Sequence, residues 1–240
     1  MLKRTVKSLI DKSGIIRGSL HRNDRSGALH RAWGHVFTNH MVGDYVEFGV
    51  DLGASFVESY QQYQLFRNWL AGQLQSEELW RREVASKYID HNAFFRGLDT
   101  FEGMPENNEG NATFAGNTFV SSLDNVKSRC DSAGMPSGQY RLYQGLFSAT
   151  KEALISDLKK IAILNIDSDL YESALDALTI SGPYLQVGSV VMFDDYNAFH
   201  ADNRKGERRA FREFCLTSRY KFEPWFSYMY SGQAFLCVED

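Results

Sequence analysis

Acidic side chains follow directly after two strand-like stretches in the C-terminal half of the chain. Asp167 comes after the apolar run 161–166, and Asp194 and Asp195 come after the run 190–193. Near-continuous apolar runs of this kind are typical of strands buried on both faces of a parallel sheet. Both sets of acids would then emerge at the carboxyl edge, where open α/β sheets bind their ligands. Like charges gathered there predict a cation site, and Mg²⁺ prefers such oxygen ligands.

The length of chain between the two acidic motifs leaves room for one helix and one strand, as a crossover between adjacent parallel strands requires. An isolated Asp-Asp pair is more often a solvated turn. Its coupling to Asp167 across a crossover favours a metal site instead. Asp169 has two possible roles, as a second base or as the N-cap of the helix predicted to begin at Leu170.

Strand-like and helix-like segments alternate along the chain from residue 44 onward. This alternation predicts an α/β fold with a mostly parallel sheet, helices on both faces and a closing antiparallel hairpin. A charged segment, 73–88, predicts an inserted helix. The predicted strands are 44–50, 93–99, 140–143, 161–166 and 189–193, with the hairpin at 222–230 and 233–238. The predicted helices are 56–70, 120–133, 151–159, 170–185 and 206–215.

The composition bounds the class of protein. A chain of 240 residues with 43% hydrophobic and 23% charged residues predicts one ordinary domain with a full core. A formal charge of -4 weighs against nucleic acid and anionic membrane as partners. The three cysteines have no zinc-like spacing and predict reduced core thiols.

The first forty residues are predicted to form an N-terminal helical cap or oligomerisation segment, and residues 41–240 the main domain. Basic and apolar residues mix over 1–20, without an uninterrupted apolar segment long enough for a secretory signal or a membrane span. We therefore expect a cytoplasmic protein. The apolar positions between 6 and 16 favour an amphipathic entry helix or dimer contact over membrane attachment.

A glycine-containing turn follows the first predicted strand. Gly49 and Gly53 lack side chains, so backbone N–H groups in this turn can approach a ligand closely. The spacing is not G-x-G-x-x-G, which weighs against a dinucleotide and an NAD-linked oxidoreductase. Glu47 would repel phosphates and suits a cationic or hydroxyl-rich ligand. A tight structural turn is the alternative.

Four ordered motifs together resemble the macrocin O-methyltransferase family of class I S-adenosylmethionine-dependent methyltransferases. The run VEFGVDLGAS at 46–55 resembles the cofactor loop of that class, and LDTFEGMPE at 98–106 is similar to the family's FDSFEGLPE. The run IDSDLYES at 166–173 resembles IDADLYES, and FDDY at 193–196 resembles IDDY. The likeness also includes Gly145-Leu146-Phe147 and the pattern at 208–214, and extends from about residue 40 to the C-terminus. It implies a Rossmann-like class I methyltransferase fold with a seven-stranded sheet.

The resemblance implies where the cofactor binds. Glu47, Gly49, Gly53 and Ser55 would line its methionine side, and Asp99 would hold the ribose hydroxyls, since an ionised carboxylate can accept two hydrogen bonds. An acid that merely ends a strand in solvent is the alternative for Asp99. The implied S-adenosylmethionine-binding set is Glu47, Gly49, Gly53, Ser55, Asp99, Thr100, Phe101, Gly145 and Phe147.

The resemblance also implies that Asp167, Asp194 and Asp195 ligate Mg²⁺. Either Asp167 or Asp169 would accept the substrate proton. The predicted substrate-contacting residues are Met104, Tyr196 and His200. His200 could also assist as a base, and an exposed loop histidine is the alternative for it.

These expectations combine into a Mg²⁺-dependent O-methyltransferase that acts on a hydroxyl of a sugar or glycosylated natural product, as in antibiotic biosynthesis. Its partner would be a small saccharide-containing molecule, with no nucleic acid and no membrane, and the chain would form a homodimer or higher homo-oligomer. The segment 73–88 would build an oligomer contact or reshape the acceptor pocket. The alternative is a non-catalytic cofactor-binding or scaffolding protein that retains the fold.

Overall fold

The computed structural model of the protein describes residues 24–109 and 112–239. Within these residues, seven strands form one sheet. Their bounds are β1 Asp44–Phe48, β2 Phe95–Asp99, β3 Tyr140–Gln144, β4 Ile161–Ile166, β5 Val190–Phe193, β6 Lys221–Tyr228 and β7 Gly232–Val238. The spatial order is β3-β2-β1-β4-β5-β7-β6. Strands β1 to β5 pair in parallel, whereas β7 pairs antiparallel with both β5 and β6.

The strand order reverses between β1 and β4, which lie next to each other in the sheet. Such a reversal opens a crevice at the carboxyl ends of the strands, the usual ligand position in an open α/β sheet. The predicted mostly parallel sheet with a closing antiparallel hairpin is confirmed.

Helices cover both faces of the sheet. The helix bounds are α1 Arg25–Thr38, α2 Ala54–Gln73, α3 Leu79–Tyr88, α4 Leu123–Ser132, α5 Phe147–Ile155, α6 Tyr171–Ser181 and α7 Gly206–Thr217. Trp33, Phe56 and Phe95 belong to the core on one face, and Phe48 and Phe211 belong to the core on the other. Alternate β1 side chains supply both cores, as the two-residue period of a strand requires.

Most predicted helix boundaries differ from the structure by a few residues, and the starts of two helices differ most. The inserted helix predicted over 73–88 is wrong in its first part, because α2 continues to Gln73 and α3 begins only at Leu79. Between them the Ser76 hydroxyl accepts the N–H of Glu78, and this local turn competes with helix. The helix predicted from 151 instead begins at Phe147, because Gly145, with φ of 137°, directs the chain straight from β3 into α5.

The described part of the N-terminal segment belongs to the same core as the sheet. Trp33 on α1 is 1% exposed, and its indole N–H donates to the Ser59 hydroxyl on α2 at 3.0 Å. The predicted contact segment over 6–16 lies outside the described residues, and the boundary at residue 40 stays a prediction. None of the described helices is long and apolar enough to cross a membrane.

Two of the three cysteines match the predicted core thiols. Cys130 and Cys237 are buried, whereas Cys215 is exposed on α7. The prediction is therefore wrong for Cys215, which lies near the end of an amphipathic helix on its solvent side.

Candidate active site

A cavity of about 290 Å³ lies at the carboxyl edge of the sheet, where the strand order reverses. Its volume is close to the lower end of the range for small-molecule sites, roughly 300 to 1,000 Å³. Many of the site residues predicted from the sequence line this cavity. They are Gly49, Asp99, Thr100, Met104, Phe147, Asp167, Asp169, Asp194 and Asp195.

The remaining predicted site residues do not line this cavity, and their predicted roles stay predictions. Glu47, Ser55 and Phe101 are buried. Tyr196 packs into the aromatic core, with its ring centroid 5.1 Å from that of Phe235. His200 is exposed in a short 3₁₀ turn. Gly53 and Gly145 occupy the turns that lead into α2 and α5.

Three acids converge at one end of the cavity. One carboxylate oxygen from each of Asp167, Asp194 and Asp195 lies within 4.8 Å of the others. The sheet produces this convergence, because the N–H of Asp167 donates to the carbonyl of Phe48 at 2.8 Å and the N–H of Asp194 donates to the carbonyl of Ile166 at 3.0 Å. Burial, followed by the charge of Asp194, raises the pKa of Asp167 well above its usual value.

This acid cluster, Asp167, Asp194 and Asp195, has a donor set that fits Mg²⁺. Hard divalent cations take carboxylate oxygens, and three such ligands leave coordination positions for waters and a substrate hydroxyl. A positively charged side chain, that of Arg25, lies beside the same acids. The Arg25 guanidinium donates to both carboxylate oxygens of Asp194, and its Nη2 lies 3.1 Å from Oδ2 of Asp167.

Asp169 lies beside the acid cluster in a left-handed backbone conformation, with φ of 60°. Asp adopts this region more readily than most residues because its short polar side chain bonds locally. Burial, followed by a hydrogen bond with Asp195, raises the pKa of Asp169 to about 10. The alternative role as N-cap is not seen, since Leu170 occupies that position and the N–H of Tyr171 donates to the Glu109 carboxylate at 3.2 Å.

Glu207 is a site residue that the sequence reasoning missed. Its side chain is fully buried at the start of α7. One carboxylate oxygen accepts the N–H of Ser168 at 3.1 Å, and the other accepts the N–H of Asp195 at 3.0 Å. A signal was present, because Glu207 shares the i, i+3, i+4 face of Ala210 and Phe211, where an acid is out of place in an apolar stripe.

The two turn glycines have structural reasons to be glycine. Gly49 has φ of 87°, and a Cβ there would lie 1.8 Å from the carbonyl oxygen of Asp167. Gly53 has φ of 77°, and its Cβ would meet the Val126 side chain at 2.9 Å. Gly49 therefore lets the β1 turn touch the acid-bearing turn after β4, whereas Gly53 permits close packing of α2 against α4.

Glu47 is fully buried between β1 and the start of α2. Its carboxylate accepts hydrogen bonds from the Tyr45 hydroxyl and, at 2.5 Å, from the Ser55 hydroxyl. Burial raises the pKa of Glu47 to about 7, although both hydroxyls stabilise its charged form. Glu47 thus fixes the turn that contains Gly49.

Asp99 ends β2 with its carboxylate held by the backbone. One oxygen accepts the N–H of Asp51 at 2.8 Å, and the other accepts the N–H of Phe101 at 2.7 Å. Burial raises the pKa of Asp99. The carboxylate of an acid that merely ends a strand in solvent would not be held in one orientation by backbone N–H groups. The geometry therefore favours a carboxylate that is oriented to accept hydrogen bonds from ligand hydroxyls.

The cavity wall becomes apolar on the side of the described residues of the segment 103–120, which are 103–109 and 112–120. Met104, Phe114, Phe119, Leu146 and Phe147 contribute to it. The Glu109 carboxylate and its backbone carbonyl fasten the segment to the rest of the molecule, through the N–H of Tyr171 and the Lys205 ammonium.

The sheet order and a cavity lined by Asp99 and the acid cluster define a class I methyltransferase fold. The family model described as macrocin-O-methyltransferase (TylF) matches residues 79–216, more than half of the chain. The chain belongs to the macrocin O-methyltransferase family.

A curated relative from Streptomyces olivaceus, 8-demethyl-8-(2,3-dimethoxy-alpha-L-rhamnosyl)-tetracenomycin-C 4'-O-methyltransferase, is 31% identical over 106 residues. The match covers 41% of this chain and 40% of the relative's length.

Solved structures extend the likeness over most of the fold. The O-methyltransferase NovP shares 22% identity and a TM-score of 0.67, covering 90% of this chain and 80% of NovP. The calicheamicin methyltransferase CalS11 shares 21% identity and a TM-score of 0.63, covering 89% and 78%. Both likenesses confirm the class I fold.

Proposed function

We propose that the protein is a Mg²⁺-dependent O-methyltransferase that transfers the methyl group of S-adenosylmethionine to a hydroxyl of a sugar or glycosylated natural product. The observation that carries this proposal is the placement of Asp99 and the acid cluster on the wall of one cavity. Membership of the macrocin O-methyltransferase family supports it. So does the name of the Streptomyces olivaceus relative, which describes methylation at the 4' position of a rhamnosyl-bearing tetracenomycin derivative.

The cofactor would occupy the end of the cavity between Gly49 and Asp99. Gly49 brings the backbone of the β1 turn to the cavity wall, and Asp99 presents a carboxylate whose orientation the N–H groups of Asp51 and Phe101 fix. Each oxygen of Asp99 can still accept a hydrogen bond from a ribose hydroxyl.

The acceptor hydroxyl would lie at the acid cluster. When bound, S-adenosylmethionine supplies an electrophilic methyl group, and Mg²⁺ held by Asp167, Asp194 and Asp195 supplies Lewis acidity toward the hydroxyl oxygen. Asp169 would accept the hydroxyl proton while the methyl group moves from the cofactor sulfur to the hydroxyl oxygen, so that the products are a methyl ether and S-adenosylhomocysteine. The raised pKa of Asp169 belongs to the acids without a cation, and the positive charge of a bound cation would lower that pKa and leave Asp169 able to take up the proton. We choose Asp169 over Asp167 because Asp169 lines the cavity without belonging to the ligand set.

The apolar side of the cavity supports an acceptor with a nonpolar portion. Met104, Phe114 and Phe119 offer little to a free sugar, whose hydroxyls would lose water there without gaining partners. A sugar attached to an apolar aglycone could instead present its hydroxyl to Asp169 and pack its aglycone on these side chains.

The proposal is tested with two matched variants. Binding of S-adenosylhomocysteine is measured by calorimetry, Mn²⁺ binding by electron paramagnetic resonance, and methylation of glycosylated extracts by mass spectrometry with and without EDTA. We expect Asp167→Asn to lose Mn²⁺ binding. Asp169→Asn should keep both ligands and lose turnover, since Asn also tolerates the left-handed backbone at this position. Full activity in EDTA would refute metal dependence, and intact cofactor binding without any methylated product would favour a non-catalytic role.

We also propose that the chain is a cytoplasmic homodimer or higher homo-oligomer. Self-association is supported by large apolar side chains that are exposed on the consecutive helices α2 and α3, because a second copy could cover them. They are Leu65, Trp69, Leu79 and Trp80. Sedimentation of the purified chain as a monomer across micromolar concentrations would refute this part of the proposal.

A further inference from the structure

Glu207 connects the two turns that carry the acid cluster. The turn after β4 contains Asp167 and Ser168, and the turn after β5 contains Asp194 and Asp195. One oxygen of Glu207 accepts the N–H of Ser168 at 3.1 Å, and the other accepts the N–H of Asp195 at 3.0 Å. A single carboxylate therefore spans the gap between the two halves of the predicted ligand set.

The start of α7 is packed closely enough to make this bridge. Gly206 precedes Glu207 with φ of 53°, and a Cβ at Gly206 would lie 2.8 Å from the ring of Phe199 and 3.0 Å from the carbonyl oxygen of Asp169. The missing side chain allows the helix to approach the acid-bearing turn after β4. Close approach and the double hydrogen bond are separate observations, and both fix Glu207 against the same turn.

The bridge is electrostatically costly, which points to a role beyond packing. Glu207 is fully buried, and the charges of Asp195 and Asp167 act against its own negative charge. A buried apolar side chain would fill the space without this repulsion. It would leave the N–H groups of Ser168 and Asp195 without acceptors, and no hydrogen bonds from α7 would then hold the two turns at a fixed distance.

We propose that Glu207 is a positioning residue that holds the turns after β4 and β5 at the separation required for Asp167, Asp194 and Asp195 to bind one divalent cation. This inference rests on the proposed function for the cation but makes a separate claim about the two turns. Groups that orient metal ligands without touching the metal typically change metal affinity ten- to a hundred-fold when they are replaced.

The test compares Glu207→Gln with Glu213→Gln. Glu213 is the matched control, because it lies on the same helix and pairs at the surface with Arg209 at 2.8 Å. Its other oxygen accepts the Tyr171 hydroxyl at 2.6 Å, and the amide oxygen of the Glu213→Gln variant can still accept that hydroxyl. The amide side chain of the Glu207→Gln variant can accept only one of the two N–H groups, since its nitrogen is a donor. Amide hydrogen exchange of Ser168 and Asp195 is measured without metal, and Mn²⁺ affinity is measured by electron paramagnetic resonance.

We expect Glu207→Gln to speed exchange at Ser168 or Asp195 while the strand amides of Leu164 and Met192 keep their protection. Mn²⁺ affinity should fall ten- to a hundred-fold, and Glu213→Gln should match the parent protein in both measurements. Unchanged exchange at both turn amides would overturn the inference, and so would faster exchange with unchanged Mn²⁺ affinity.

The two proposals can fail separately. If the parent protein binds no Mn²⁺, the cation-dependent function fails, and the exchange data alone decide whether Glu207 holds the turns together. If Glu207→Gln does not fold, Glu207→Asp replaces it. Its side chain is one methylene shorter and can reach only one of the two amides, so faster exchange at a single turn is the expected result.

Discussion

Arg25 and Asp194 form an ion pair between the first residue of α1 and the turn after β5. The Arg25 Nε lies 3.1 Å from Oδ1 of Asp194, and the Nη2 of the same guanidinium contacts both the other Asp194 oxygen and, at 3.1 Å, Oδ2 of Asp167. The side chains of Arg25 and Asp194 are 30% and 13% exposed, so solvent screens the pair only in part. Arg25 thus balances part of the negative charge of the acid cluster and connects α1 to it.

Replacing Arg25 by Met should tighten divalent-cation binding. The guanidinium contacts oxygens that the cation would use, and its positive charge opposes a second cation there. We expect Arg25→Met to raise Mn²⁺ affinity roughly tenfold, equivalent to about 1.4 kcal/mol. In EDTA the same variant should unfold at a lower temperature, since the acids lose their cationic partner.

Electron paramagnetic resonance and thermal unfolding measure these two effects. Arg31→Met is the control, because Arg31 lies on the same helix with its guanidinium 3.8 Å from the ring centroid of Phe226. Equal or weaker Mn²⁺ affinity in Arg25→Met would contradict the expected competition.

The strands and the acids that follow them were predictable because their signal is local. The strand predicted over 161–166 has the same bounds as β4, and the acids after it and after β5 converge because parallel strands end at one edge. Asp99 was predictable for the same reason. Each of these predictions depends on a short run of residues and on a general property of parallel sheets.

The partners of the acid cluster were not predictable in the same way. Arg25 reaches Asp194 across 169 positions of sequence, and nothing near Arg25 in the chain indicates that contact. Glu207 left a local trace, an acid on an apolar helix face, but its partners are backbone N–H groups that carry no sequence signal. Tertiary approach, rather than residue pattern, therefore decides how the acids are held.

Replacing Asp99 by Asn should weaken binding of S-adenosylhomocysteine. The amide removes the negative charge and places a donor against an N–H of Asp51 or Phe101. Hydrogen bonds to charged groups contribute about 1.5–3 kcal/mol, so we expect a loss of roughly ten- to a hundred-fold in affinity. Calorimetry measures it, with the exposed neighbour Glu102→Gln as control. Unchanged affinity in Asp99→Asn would remove the ribose-binding assignment.

Replacing Gly49 by Ala should cost more stability than the same change at Gly134. Both residues have positive φ, 87° and 72°, so both variants carry a left-handed backbone penalty of about 1 kcal/mol. Only at Gly49 would the new Cβ meet backbone, the carbonyl oxygen of Asp167 at 1.8 Å, whereas nothing lies within 4 Å of a Cβ at Gly134.

In urea, the free energy of unfolding of Gly134→Ala should therefore fall by about the left-handed backbone penalty. The free energy of unfolding of Gly49→Ala should fall by several kcal/mol more. The displaced Asp167 turn should also weaken Mn²⁺ binding in the Gly49 variant. Equal losses of unfolding free energy in the two variants would show that the β1 turn does not depend on this close approach.

Glu47 should make the stability of the protein fall as the pH rises toward neutrality. Burial raises the pKa of Glu47 from 4.5 to about 7, so the folded state holds its proton more tightly than the unfolded chain does. The stability that this preference contributes is fully present below about pH 4.5 and is lost as the pH rises through about 7. Each pKa unit corresponds to about 1.4 kcal/mol.

The variant Glu47→Gln cannot titrate at this position and still offers a carbonyl oxygen to the hydroxyl of Tyr45 or Ser55. Its unfolding free energy, measured in urea, should therefore rise relative to that of the parent protein by about 2 kcal/mol between pH 5 and pH 8. The acid cluster titrates in both proteins, so its contribution to the unfolding free energy is removed when the value for the parent protein is subtracted from the value for the variant. The exposed Glu77→Gln is the control and should show no such trend. A constant difference between Glu47→Gln and the parent across this range would mean that Glu47 keeps its ordinary pKa in the folded state.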